Sequence, residues 1–160
     1  MDELKFAVIG NPVSHSLSPD IHLFFASQFQ LERYTYNKIK SNENDFERDI
    51  NDFFKNGGVG LNVTVPFKGL AYNLCDELDQ SAGLCKSVNT VLIDSGKLIG
   101  HSTDGQGLID DFLHKEITLE NSKILIIGAG GSAASIISSL LSHGKIKEIS
   151  ILNRTKSNAL

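Results

Sequence analysis

Residues 124–135, ILIIGAGGSAAS, constrain the fold of this chain more than any other stretch. An apolar run ends at Gly128, and Gly130 and Ala133 complete the pattern G-x-G-x-x-A. Glycines at these spacings let the backbone turn sharply and approach a pyrophosphate, which binds at the N-terminus of the helix that follows. Because a strand precedes the turn and a helix and another strand follow it, the pattern predicts a nucleotide-binding βαβ unit.

The end of the second strand of this unit indicates which nucleotide binds. NAD-binding units usually place Asp or Glu here, to bind the ribose 2′-hydroxyl. This chain instead has Asn153, Arg154, Thr155 and Lys156, and a guanidinium can bind a 2′-phosphate through paired hydrogen bonds. The sequence therefore favours NADP over NAD. The alternatives are that the glycine turn binds no ligand and that Arg154 is a solvated loop residue. The predicted cofactor-binding residues are Gly128, Ala129, Gly130, Gly131, Ser132, Ala133, Asn153, Arg154, Thr155 and Lys156.

The rest of the chain alternates between strand and helix patterns. Strands are predicted over 5–10, 34–40, 59–66, 123–128 and 148–153, a hairpin over 87–93 and 97–102, and helices over 19–31, 44–55, 107–115 and 131–143. This order predicts an α/β layer architecture, with a boundary between two α/β units near residues 103–122.

Composition excludes several classes of function. The formal charge is −4 and no basic block occurs, so neither nucleic acid nor an anionic membrane is an expected partner. No apolar stretch is long enough to cross a bilayer. The two cysteines, Cys75 and Cys85, lack the spacing of a zinc site, so we expect no metal, and free thiols in a reducing cytoplasm.

Two charged residues outside the glycine turn are candidates for proton chemistry. Lys68 follows the strand that Pro66 ends, and Asp104 lies at a predicted helix start just before the nucleotide unit. Ligands of open α/β sheets bind at the carboxyl ends of the strands, where these two residues are expected. Taken singly, a surface lysine and a helix N-cap would explain them.

Six motifs in this order, GNPVSHSLSP, NVTVPFK, SVNT, STDG, GAGGSA and NRT, resemble those of shikimate dehydrogenases over almost the whole chain. The resemblance implies a three-layer α/β substrate domain with a mostly parallel sheet over 1–103. The start of a Rossmann-type NADP-binding domain is then expected over 104–160. The implied reaction is the reversible NADPH-dependent reduction of 3-dehydroshikimate to shikimate.

The same resemblance assigns roles to single residues. Ser16 and Ser18 match the serines that bind the shikimate carboxylate, and Thr64 and Asn89 match positions that bind the ring hydroxyls. Lys68 and Asp104 match the catalytic pair, both also in contact with the substrate. Ser18 followed by Pro19 further fits an N-cap and the first helical residue, where free N–H groups suit an anion.

The C-terminal end departs from the family pattern, because residue 160 comes just after the second nucleotide strand. We therefore expect this chain alone to bind NADP weakly and to turn over poorly. A quinate/shikimate dehydrogenase of broader specificity and a substrate-binding fragment remain alternatives. A small-molecule substrate, a possible homodimer and a cytoplasmic location complete the expectations.

Overall fold

The computed structural model describes residues 3–159, with eight strands and six α-helices in that range. The strands are β1 (Leu4–Gly10), β2 (Tyr34–Lys40), β3 (Gly58–Val63), β4 (Glu77–Leu78), β5 (Thr90–Asp94), β6 (Lys97–His101), β7 (Lys123–Ile127) and β8 (Glu148–Leu152). The helices are α1 (Ser18–Gln28), α2 (Phe46–Lys55), α3 (Lys68–Leu74), α4 (Gln80–Cys85), α5 (Asp104–His114) and α6 (Gly131–His143), and a 3₁₀ helix spans Lys156–Ala159.

Strands β1 to β6 form one sheet in the order β2-β1-β3-β5-β6-β4. The pairs β1–β2, β1–β3 and β4–β6 are parallel, and β5 is antiparallel to both of its neighbours. Ser95 and Gly96 join β5 to β6 with φ angles of 50° and 80°, as a tight hairpin turn requires. The carboxyl ends of β1, β3 and β6 therefore meet the amino end of β5 at one edge, where the site residues lie.

Helices cover both faces of this sheet, which makes the first unit three layers thick. Successive residues of β1 point to opposite faces, so Ala7 and Ile9 lie in one apolar cluster and Val8 in another. On α2, Phe46, Ile50 and Phe54 recur every four residues and pack into the first cluster. On the other face, α1 packs against β2 and β1. The predicted α/β class is confirmed.

Strands β7 and β8 form a separate two-stranded parallel sheet. Ile124 and Ile126 of β7 pack with Ile109 of α5 and Leu140 of α6 in a third apolar cluster. The glycine turn joins β7 to α6, so the predicted strand–turn–helix–strand unit is confirmed as the start of a Rossmann-type domain.

Several predicted boundaries differ from those in the structure. The strand predicted over 59–66 ends at Val63, the strand predicted from residue 87 begins at Thr90, and α5 begins at Asp104 rather than at residue 107. The short elements α3, β4 and α4 were not predicted, because two to seven residues hold too little of a repeating apolar pattern.

Helix α1 forms in the predicted region but ends at Gln28 rather than at residue 31, and its apolar face lies at the surface. Ile21, Phe24, Phe25 and Phe29 are exposed, and only Ala26 of this helix is buried. The prediction that Ser18 is the N-cap was wrong: the N-cap is Leu17, and no side chain caps the helix. The Ser18 hydroxyl instead bonds other side chains of the site, as described below.

Asp79 fixes α4 to β6. Its carboxylate accepts hydrogen bonds from the Ala82 N–H (2.7 Å) and the Ser81 hydroxyl (2.9 Å), and lies 3.3 Å from His101 Nδ1. Burial alone would raise the pKa of Asp79, but the bonds from Ala82, Ser81 and His101 outweigh it and lower the pKa below its usual value. The carboxylate form therefore stabilises the folded chain.

Asp79→Ala should lower the free energy of unfolding by about 1 kcal/mol at neutral pH, since it removes a helix cap. The folded pKa is below the unfolded one, so this stabilisation is present above the unfolded pKa and is lost as pH falls through the folded value. Denaturant unfolding of variant and wild type across pH 7 to about 3 tests this. Asp45→Ala is the control: Asp45 is the N-cap of α2 but makes no capping bond. Equal losses in both variants would contradict the prediction.

Candidate active site

Lys68 and Asp104 meet between the two units. Lys68 begins α3 directly after the buried Phe67, and Asp104 begins α5. Lys68 Nζ lies 2.5 Å from Asp104 Oδ2, and the two side chains are 12% and 25% exposed. Nζ also donates to Ser132 Oγ, 2.7 Å away. The Lys68 cation of the first unit is thus held by two partners of the second unit.

Asn89 fixes the second oxygen of this carboxylate. Its Nδ2 donates to Asp104 Oδ1 (2.7 Å) and to Thr103 Oγ1 (2.9 Å), and its Oδ1 accepts from the Thr103 N–H (3.0 Å). Asn89 precedes β5 and Thr103 is the N-cap of α5, so the sheet edge sets their separation. One carboxylate oxygen is therefore held by Asn89, while the other faces Lys68.

The serine pair lies at the start of α1. Ser16 Oγ donates to Ser18 Oγ at 3.1 Å and accepts from the Ser18 N–H at 3.2 Å. Tyr36 of β2 donates its hydroxyl to Asn62 Oδ1 at 2.6 Å. Burial raises the pKa of Tyr36 to about 12, although a hydrogen bond with Ser18 opposes the rise. Tyr36 is therefore a neutral hydroxyl over the whole physiological pH range.

Hydrogen bonds lead from Tyr36, which lies beside Ser18, to the Lys68–Asp104 pair. Asn62 Nδ2 donates to Thr90 Oγ1 (3.2 Å), and Thr90 Oγ1 lies 3.2 Å from Asn89 Oδ1. We call this set the polar chain; its members are Tyr36, Asn62, Thr90, Asn89, Asp104 and Lys68. The predicted residues Lys68, Asn89 and Asp104 are thus joined by one network, and the serine pair lies beside its Tyr36 end.

Thr64 lies at the same edge but outside the polar chain. Among the described residues its hydroxyl has no hydrogen-bond partner, and its methyl packs on Gly10, where an added Cβ would come within 2.3 Å of it. Gly10 must therefore be glycine for β1 and the end of β3 to approach. The free hydroxyl of Thr64 is available to a ligand.

Tyr36, Asn62 and Thr103 were not predicted as site residues from the sequence. Asn62 lies within the quoted motif NVTVPFK, and a polar residue between the buried Leu61 and Val63 was the available signal. Thr103 lies within STDG, whereas Tyr36 lies in no motif, and only the order of strands brings it near Asn62.

The glycine turn faces Lys68 across a cavity of about 470 Å³, lined by residues 65, 66, 68 and 69 on one side and by residues 127, 128 and 130–133 on the other. Gly128 has φ +114°, and Gly130 is the N-cap of α6. A Cβ built on either glycine meets nothing within 4 Å, so the turn has open space over it. The free N–H groups of α6 and this space fit a pyrophosphate.

Arg154 lies beside the turn. The Gly128 N–H donates to the Leu152 carbonyl at 2.8 Å, so the loop after β8 adjoins the turn after β7. Arg154 is exposed and has no ion pair with any described residue. Asn153 Nδ2 donates to the Thr155 carbonyl (2.7 Å), which shapes the loop. A guanidinium that has no ion pair within residues 3–159 fits a 2′-phosphate, so the residues present fit NADP.

Other features lie apart from this site. A cavity of about 540 Å³ between α4, α5 and α6 is lined by neither Lys68 nor the glycine turn. Within residues 3–159, no three metal-ligating side chains form a group, and no helix has the length and apolar character needed to cross a membrane. Cys75 and Cys85 are free thiols, and burial raises the pKa of Cys75 to about 11.

Comparisons with known proteins show the family of this chain. Residues 8–91 match the family model of the shikimate dehydrogenase substrate binding domain, and residues 112–160 match that of shikimate / quinate 5-dehydrogenase. The chain belongs to the shikimate dehydrogenase family. Together, the two matches include both the substrate half and the glycine turn.

Similar proteins include shikimate dehydrogenase (NADP(+)) from Acinetobacter baylyi, which is 43% identical over 97% of this chain. The chain spans 58% of that relative's length. Shikimate 5-dehydrogenase from Thermus thermophilus, solved in complex with shikimate, is 31% identical and superimposes with a TM-score of 0.89 over 98% of this chain and 58% of its own. A shikimate dehydrogenase solved with NADP+ is 33% identical, with a TM-score of 0.88 over 98% of this chain and 53% of its own.

Proposed function

We propose that this chain supplies the substrate pocket and the acid/base pair for the reversible NADP-dependent reduction of 3-dehydroshikimate to shikimate. The Lys68–Asp104 contact carries the proposal, because it lies between a serine-lined helix start and a nucleotide-type glycine turn. The names of the relatives support the same reaction. We propose residues 1–103 as the substrate domain and 104–160 as the nucleotide part.

The substrate is bound by hydroxyls and amides of the first unit. Ser16 and Ser18 donate to the carboxylate at the start of α1, where the free N–H groups of the helix favour an anion. Thr64 and Asn89 bind ring hydroxyls. An analogue without the hydroxyl that Thr64 binds would leave the Thr64 hydroxyl unpaired, which is a physical source of selectivity.

Lys68 and Asp104 carry out the proton transfer. NADPH, when bound, supplies a hydride to the ketone carbon of the substrate. The Lys68 ammonium faces the ketone oxygen, stabilises the negative charge that develops there and delivers a proton to it. In the reverse direction the Lys68 amine accepts the alcohol proton. Asp104, fixed by Asn89, orients Lys68 and contacts a substrate hydroxyl.

The nucleotide is bound by the turn over 128–133 and the loop over 153–156. The N-terminus of α6 takes the pyrophosphate, and Arg154 takes the 2′-phosphate, so NADP is preferred over NAD. The proposed place of action is the cytoplasm, which suits the two free thiols. The homodimer stays a prediction of the sequence.

Arg154→Ala should weaken NADP+ binding about tenfold or more and leave NAD+ binding nearly unchanged, because only NADP carries the 2′-phosphate. Calorimetric titration of variant and wild type with each nucleotide measures both affinities, and NAD+ is the internal control. Equal weakening for both nucleotides would contradict the assigned role of Arg154.

The reaction itself is tested on the full chain with shikimate or quinate and with NADP+ or NAD+. We expect shikimate to bind in calorimetry and NADPH to form at high protein concentration, fastest with shikimate and NADP+. A broader dehydrogenase would accept quinate equally, and a substrate-binding fragment would bind shikimate without forming NADPH. Absence of shikimate binding would overturn the proposal.

A further inference from the structure

Ser132 is the second residue of α6 and lies in the glycine turn, 64 positions from Lys68 along the chain. Its Oγ nevertheless accepts a hydrogen bond of 2.7 Å from Lys68 Nζ. We propose that Ser132 is a positioning residue that couples the nucleotide-binding turn to the acid/base pair. This inference rests on the proposed function, since it assigns Lys68 the proton transfer.

The contact with Ser132 uses one of the three N–H donors of Lys68. An ammonium group has three N–H donors and no acceptor. Asp104 takes one donor and Ser132 takes a second, so the third is left for a substrate oxygen. With Asp104 alone, the ammonium could rotate about a single contact. Two acceptors, one on α5 and one on α6, fix the direction of the remaining N–H.

The turn is built to come this close to Lys68. A Cβ added to Gly131 would lie 3.2 Å from Lys68 Cβ, 3.3 Å from Lys68 Cδ and 2.6 Å from Ser87 Oγ. Ser87 is buried, and its hydroxyl has no partner among the described residues. The stem of Lys68 and a buried hydroxyl therefore enclose the turn, and only glycine at 131 lets Ser132 reach Nζ.

The partial charge of the α6 N-terminus affects the Lys68 ammonium that Ser132 binds. The N-terminus of α6 carries partial positive charge, which disfavours a neighbouring ammonium. The Ser132 oxygen supplies the acceptor that holds Lys68 there. An anion bound at the turn would reverse the sign of the local field and attract the same ammonium. An anion at the turn would therefore act on the same ammonium that Ser132 holds.

The test compares Ser132→Ala with Ser132→Thr, which keeps the hydroxyl, and with Ser142→Ala, the same truncation near the other end of α6. The lysines are acetylated with acetic anhydride in the absence of nucleotide. Mass spectrometry then gives the acetylation rate of Lys68 relative to that of the exposed Lys115. We expect Ser132→Ala to raise the relative rate about fivefold, as loss of one hydrogen bond implies. We expect Ser132→Thr to restore it and Ser142→Ala to leave it unchanged.

Kinetics with shikimate and NADP+ provide the second readout. Loss of positioning should lower kcat of Ser132→Ala about tenfold with KM for shikimate unchanged, and Ser132→Thr should recover most of it. Unchanged labelling of Lys68 in Ser132→Ala overturns the inference, whatever the turnover. If the wild type neither binds nor oxidises shikimate, the proposed function fails instead, and the labelling ratio still decides whether Ser132 holds Lys68.

Discussion

Lys68→Ala should lower kcat for shikimate oxidation by about a hundredfold to ten-thousandfold, the range typical of a lost general acid or base. KM should change little, because in the proposed site the serine pair, Thr64 and Asn89 bind the substrate without Lys68. A fall in kcat alone is the signature of an interaction made mainly in the transition state. Single-turnover measurements at high protein concentration keep slow rates measurable.

The control for this variant is Lys115→Ala. Lys115 is exposed and, among the described residues, forms its ion pair with Asp111 of α5, so its removal changes the net charge equally but leaves the site intact. Circular dichroism melts of both variants separate loss of chemistry from loss of fold. Turnover near the wild-type value in Lys68→Ala would remove the acid/base role from Lys68.

Gly105→Ala should destabilise the fold by about 3 kcal/mol, through overpacking between α5 and α6. A Cβ at Gly105 would lie 2.3 Å from both the Ser135 carbonyl oxygen and Ser139 Oγ. Ser139 can rotate, but the Ser135 carbonyl is backbone, so the helices themselves must separate. The Gly105 N–H, which donates to Ser135 Oγ at 3.0 Å, would also lose that partner.

Gly107→Ala is the matched control on the same helix. A Cβ at Gly107 meets nothing within 4 Å, and alanine is the better helix former by about 1 kcal/mol. Denaturant unfolding should therefore show opposite signs two residues apart. Destabilisation of similar size in both variants would show that close packing at Gly105 is not the cause.

The sequence predicted best the parts where a pattern repeats or where a turn demands particular residues. The unit β7–α6–β8 followed from one glycine turn and two apolar strands, because few other structures accommodate that order. The short elements α3 and α4 escaped prediction. Ser18 was wrongly predicted as a cap because local spacing cannot show that Tyr36, on another strand, bonds its hydroxyl.

The residues of the candidate site also differ in how far the sequence predicted them. Ser16, Lys68, Asn89 and Asp104 lie in motifs and were singled out from the sequence. Tyr36 and Asn62 are 26 residues apart on strands that flank β1, so only the strand order makes them neighbours. The role of Ser132 likewise depends on how closely the two units approach, which no local pattern encodes.

Because of the β5–β6 hairpin, the contact between Asn89 and Asp104 does not depend on the number of residues between them. Thr90 pairs with His101 at the site, whereas the turn at Ser95 and Gly96 lies at the opposite edge of the sheet. Residues gained or lost at that turn would lengthen or shorten the hairpin away from the ligand. Evolution can thus vary the number of residues between Asn89 and Asp104 while the amide and the carboxylate keep their contact.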